Sequence, residues 1–251
     1  MRTKLIGDGK RSDTWQYRVR DLAVTMMLVA QFLIIFAAPF ATMGYGGARE
    51  VMALLFFLFT FLVCLLSPGR VATFFAIFAF ISGLIGYVLE HVAPSTSAAL
   101  VFVFTGAISA FIVASYALGY ATLAPGRVTF HRVLGAIALY LNIGLMFAAI
   151  YRMIWYFIPN SLTNIPGDAG WPTYGQILYF SFVTLTSTGF GDIVPVHPVI
   201  RMLVNVEAVI GQLYPATLLA RLITLELRGE RRRSRRDAPA RLSRKDDRDR
   251  A

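Results

Sequence analysis

Apolar residues in this chain come in runs of membrane length, and that spacing decides what it can fold into. A helix that crosses a bilayer needs about 20 mostly apolar residues. Segments 22–43, 51–67, 70–90, 98–122 and 133–158 meet that requirement, and a sixth runs from about 198 to 226. Breakers bound them: Gly44 with Gly46 and Gly47, Pro68-Gly69, Pro94, Pro125-Gly126 and Pro159. Between the fifth and sixth lies a run, 172–186, too short to cross alone. It begins with Pro172, a residue favoured in a helix's first turn because its missing N–H has no intrahelical partner there. By length it is a re-entrant half-helix. The predicted fold class is an all-α integral membrane protein, with six transmembrane helices and one re-entrant helix.

Composition and charge placement agree. Apolar residues make up 57% of the 251 and charged residues 15%, with mean hydropathy +0.61, outside the usual soluble balance. Residues 1–20 hold six Lys/Arg and residues 228–251 hold eleven, leaving seven of the 24 for everything between. The net +10 therefore describes two tails, and no nucleic-acid partner is expected. With six spans both termini share a side. That side then carries twenty basic residues, and the other only Arg49 and Arg201. The excess places both tails in the cytoplasm, in a plasma or bacterial inner membrane. Arg152 and Arg221 stand near helix ends, where long side chains can snorkel to the interface. Run 22–43 exceeds the h-region of a signal peptide and lacks a clear small-x-small cleavage site, so it reads as a retained span. The single cysteine, Cys64, lies in an apolar run and forms no intrachain disulfide.

Residues 184–192, Thr-Leu-Thr-Ser-Thr-Gly-Phe-Gly-Asp, follow the short helix directly. Gly189 and Gly191 admit backbone conformations that β-carbon residues resist, so successive carbonyls can face one axis. Such a row replaces the water of a cation. The short helix would direct its partly negative C-terminal end at the same place. Phe190 can brace the strand from outside, and a hydroxyl of Thr186, Ser187 or Thr188 can add a ligand at the inner end. One such run cannot surround an axis, so several chains are needed.

The string Thr-Ser-Thr-Gly-Phe-Gly-Asp resembles the potassium-channel signature Thr-Thr-Val-Gly-Tyr-Gly-Asp, and the likeness covers about 172–226. It implies a pore domain at 133–227 with a pore helix at 172–186, a selectivity filter at 187–191 and an inner helix at 198–226. Carbonyls of Ser187, Thr188, Gly189 and Phe190, with Gly191 closing the strand, would then hold K⁺, and the Ser187 hydroxyl would complete the innermost site. K⁺ would be the permeant ion, with no cofactor and no other metal. The subunits would form a homotetramer. Asp192 would stand at the outer mouth, as a cation-attracting ring with a structural bond behind the filter. Tyr179 occupies the place where the family often has a tryptophan bonded to this aspartate, so a Tyr179–Asp192 bond is expected. Ser187, Thr188 and Phe190 depart from the family's usual Thr, aliphatic residue and Tyr.

Glu207 is an expensive residue ten positions into a spanning run unless neutral, paired or wet. It is either a cavity-lining charge or, as we favour, an acid bonded to the back of the filter through Thr184, Thr188 or a backbone group of the short helix. Gly211 resembles the hinge glycine of potassium-channel inner helices, and Pro215 one turn later removes a further backbone bond. Close helix packing explains Gly211 as well. His197 lies near the outer mouth, where it could titrate.

The membrane segment 21–122 has no Lys or Arg in its fourth span, so it lacks the charges of a voltage sensor, and weak or absent voltage dependence is expected. It reads as a packing jacket, joined by a linker at 123–132. The tail at 228–251 is either a tether to anionic lipid or a disordered anchor. No His/Cys cluster, nucleophile motif or phosphate loop supports an enzyme. The expected function is a passive K⁺ channel subunit; a potassium transporter subunit or a less selective monovalent cation channel are the alternatives.

Overall fold

The computed structural model describes residues 22–38, 48–67, 69–92, 97–123, 130–165 and 171–220. Both basic tails, residues 124–129 of the linker and positions 221–226 of the sixth run lie outside the described residues.

Every regular element among the described residues is a helix. In chain order they are α1 (Leu22–Ala38), α2 (Ala48–Leu66), α3 (Arg70–Val92), α4 (Ser97–Leu123), α5 (Phe130–Phe157) and α6 (Trp171–Leu185), then α7 (Pro198–Ala220). Of these, α3, α4, α5 and α7 are long and apolar enough to cross a membrane. The described apolar stretches Leu22–Ala38 and Glu50–Cys64 are shorter. Helix α6 ends at Leu185, one residue before the expected end, because Ser187 takes a left-handed backbone conformation (φ 55°) that no α-helix accepts.

Helices α3 and α4 meet backbone to backbone. A β-carbon added to Gly106 would stand 2.7 Å from the Gly83 amide nitrogen, and one on Gly86 2.7 Å from that of Val103. Ala76, Ala79, Ala110 and Ala114 are fully buried. Small residues allow this approach in lipid, where dispersion contacts rather than water expulsion hold helices together. The Ser82 hydroxyl adds one bond to the Phe102 carbonyl (2.9 Å).

Helix α5 joins the two parts of the bundle. Its Asn142 donates to the Phe111 carbonyl and the Ser115 hydroxyl of α4, both at 2.8 Å. Gln31 of α1 donates to Asn142 in turn (3.3 Å). On its other face α5 packs Phe147, Tyr151 and Trp155 against Ile177 and Phe180 of α6 and Ile200 of α7. Arg152 departs from the expected snorkel. Its guanidinium lies 5.9 Å from the Phe104 ring centre and 5.2 Å from that of Tyr174, inside the bundle.

Candidate functional site

The end of α6 sets the geometry of everything after it. The Thr186 amide donates to Phe182 O (3.0 Å), Ser187 to Thr184 O (2.9 Å), and Thr188 and Gly189 both to Val183 O (2.9 and 3.4 Å). Four consecutive N–H groups thus turn back onto the last turn of α6. A peptide's carbonyl opposes its N–H, so the carbonyls of residues 185–188 face away from that turn.

Backbone handedness extends the pattern outward. Ser187, Gly189 and Gly191 have positive φ (55°, 60° and 77°), while Thr188 and Phe190 between them keep the ordinary sign. Alternating handedness aligns successive peptide units, with N–H groups on one side and carbonyls on the other. Glycine adopts φ > 0 at no steric cost, whereas Ser187 holds it under strain. Thr186 through Asp192 are exposed in the isolated chain, and Phe190 is 68% exposed. An exposed row of carbonyls beside a helix C-terminus is an electronegative strand suited to a dehydrated cation.

Side chains brace this strand from behind. Tyr179 stacks flat on Phe190, with centroids 6.4 Å apart and planes 5° from parallel. The Tyr179 hydroxyl and the Asp192 carboxylate influence each other electrostatically. Thr186 donates to Phe182 O (2.7 Å) and shares a 2.8 Å bond with the Thr188 hydroxyl. Thr184 takes part through its backbone carbonyl.

Glu207 is fully buried, and its partners differ from those expected. Neither Thr184 nor Thr188 reaches it, since Thr188 is satisfied by Thr186. Tyr151 donates to Oε2 at 2.7 Å, and Ser181 lies 2.6 Å from Oε1. The Ser181 hydroxyl is also 2.8 Å from Gly144 O. Serine has one proton, so both contacts are full hydrogen bonds only when Glu207 carries a proton of its own. The acid thus ties α7 to α5 and to the middle of α6, below the strand.

Gly211 lies where α7 crosses the end of α6: a β-carbon there would sit 1.8 Å from Leu185 O. That carbonyl accepts from the Tyr140 hydroxyl (3.2 Å), and Tyr140 stacks on Tyr214, which donates to Ala136 O (2.7 Å). Close approach is thus a property of Gly211 in this structure. Helix α7 continues through Pro215 to Ala220. His197 caps α7, its Nδ1 accepting the Val199 amide (3.3 Å).

Sequence reasoning missed the segment after α5. Thr163 N–H donates to Val194 O (3.0 Å), Val196 N–H to Ser161 O (2.9 Å), and Val194 N–H to the Thr163 hydroxyl (3.1 Å). Asn164 Nδ2 donates to Asp192 O (2.6 Å). Residues 161–164 therefore clamp the end of the strand remote from α6. A signal existed in Asn160 and Asn164, a residue type that, after glycine, readily takes the left-handed conformation both adopt (φ 61° and 60°).

These features define a helical membrane protein in which an exposed electronegative strand follows α6 and is held by that helix and by the 161–164 loop. Residues 143–227 match the family described as Ion channel. The match takes in the second half of α5, α6, the strand and α7. Comparison with curated proteins and with solved structures finds no match.

Proposed function

We propose that the chain is one subunit of a potassium-selective channel, with four copies setting residues 187–191 round a common axis to pass K⁺ passively. The observation that carries this reading is the alternating handedness of Ser187, Gly189 and Gly191, which aims carbonyls away from the α6 amide anchors into open space. In a ring that open space becomes a carbonyl-lined pore, and the exposed apolar face of α7 (Met202, Val209, Leu213) meets lipid or neighbouring subunits. Helix α6 serves as the re-entrant helix of a six-span subunit with cytoplasmic termini. Asp192 stands at the outer mouth, held by Asn164. Helix α4 contains no Lys or Arg, so opening depends weakly or not at all on voltage.

Purified protein in planar bilayers under opposing K⁺ and Na⁺ gradients tests this. Unitary current steps with a reversal potential near that of K⁺, little changed in open probability by voltage, are expected. A reversal potential near zero would remove selectivity, and slow saturable flux without steps would indicate transport.

A further inference from the structure

A cavity of about 130 Å³ lies where the first four helices meet α5 and the first turn of α6. Its walls are apolar, with Met52, Phe56, Val103, Phe111 and Ala149 among them. One end is polar and contains Glu90, Arg152 and Tyr174. That size approaches the apolar cavities of about 150 Å³ that stay dry and take up benzene. The walls thus accept a body of one ring, or a compact branched alkyl group.

The polar end selects the rest of the ligand. Arg152 is donor-only, Glu90 when ionised is acceptor-only, and a tyrosine hydroxyl can do either. Arg152 rests over the Phe104 and Tyr174 rings, and Glu90 attracts it electrostatically. The two charges largely cancel, so the end attracts neither anions nor cations strongly. A carboxylate placed there would meet Glu90, and an ammonium would meet Arg152. A neutral hydroxyl can accept from Arg152 and donate to Glu90 at once. A bare hydrocarbon would fill the walls and leave this end unused.

We propose that the cavity binds a small uncharged molecule with a ring-sized apolar body and one hydroxyl, a phenol or a compact alcohol. Tyr174 belongs to α6, the helix that anchors the carbonyl strand at its other end, so an occupant would touch the conducting part as well as the jacket.

The test uses full-length protein in lipid nanodiscs and fluorine NMR of three probes of one size: 4-fluorophenol, fluorobenzene and 4-fluorobenzoate. Empty nanodiscs correct for partition into lipid. Saturable binding of 4-fluorophenol is expected, at least about fivefold tighter than fluorobenzene for the hydrogen bonds to Arg152 and Glu90, with fluorobenzoate weaker still. Ala149→Phe should remove phenol binding by filling the cavity. Ala53→Leu fills it from the α2 side and decides the matter if the first variant does not fold. Arg152→Gln should weaken phenol binding while leaving fluorobenzene binding unchanged. No saturable signal above empty nanodiscs, or phenol binding unchanged in a folded filling variant, overturns the site. Fluorobenzene or fluorobenzoate binding as tightly as the phenol overturns the hydroxyl assignment. The readout is binding, so its outcome stands apart from ion conduction.

Discussion

Helices α3 and α4 meet through bare backbone, whereas α5, α6 and α7 meet through side-chain hydrogen bonds. In the first region Gly83, Gly86 and Gly106 bring main chains together, and one serine bond crosses the seam. In the second, Tyr140, Tyr151, Ser181, Glu207 and Tyr214 each bond across a helix boundary. Packing by small residues sets how closely two helices approach, through many weak contacts. A short bond from a buried hydroxyl fixes position to a fraction of an ångström. The region that must hold a strand of carbonyls in place has several directional contacts, and the α3–α4 seam is mostly non-directional.

The largest effect expected is at Gly211, where the second region also uses bare backbone. Gly211→Ala puts a methyl 1.8 Å from Leu185 O, and neither backbone can yield without moving α7 off α6. A loss of about 3 kcal/mol or more is expected, read as loss of unitary currents and of the assembled oligomer on gel filtration. The matched change, Gly106→Ala, approaches Gly83 N at 2.7 Å. It should cost about 1–3 kcal/mol by spreading α3 and α4 while leaving conduction intact. Equal loss of current in both variants would break the contrast between the regions.

Glu207 sharpens the comparison by chemistry instead of volume. Alanine there leaves Tyr151 without an acceptor in a buried site and Ser181 with only the Gly144 carbonyl, at a cost of about 3 kcal/mol. Glutamine can donate to Ser181 and accept from Tyr151, as a protonated acid does. Thermal unfolding should therefore place Glu207→Gln near the native protein and Glu207→Ala well below it. If glutamine falls as far as alanine, the carboxylate is ionised in place and the proton count around Ser181 is wrong.

How much of this was legible follows the range of the interaction. The helices stand out because apolar length is a local property. So does the short α6, from Pro172 and the length of its run. Glycines at 189 and 191 pointed to the left-handed positions, but Ser187 carried no such signal, because its strained φ comes from amides held by Val183 and Thr184. A buried Glu207 was readable as a problem needing a partner. The partner was not, since Ser181 and Tyr151 lie 26 and 56 residues away. Gln31 and Asn142, 111 residues apart, left no trace at all. A polar residue in an apolar run announces that it must be satisfied, and only packing decides by what.

The smallest effect tests the end of the strand remote from α6, where both kinds of contact give way to a loop clamp. Asn164 donates a 2.6 Å bond to Asp192 O, while Thr163 and Ser161 hold the neighbouring Val194 and Val196 by backbone bonds. Asn164→Ala removes one bond of several at an exposed site, so about 1 kcal/mol is expected. The left-handed φ of 60° at this position adds to the cost for alanine, and Asn164→Gly separates the two effects by keeping the conformation and losing only the bond. Amide hydrogen exchange over residues 192–196 should accelerate about fivefold in the glycine variant, with the exchange of α6 unchanged. If α6 exchange rises as well, the clamp and the strand share one cooperative unit with the helices below. The directional bonds around Glu207 would then not be sufficient to hold α6 alone.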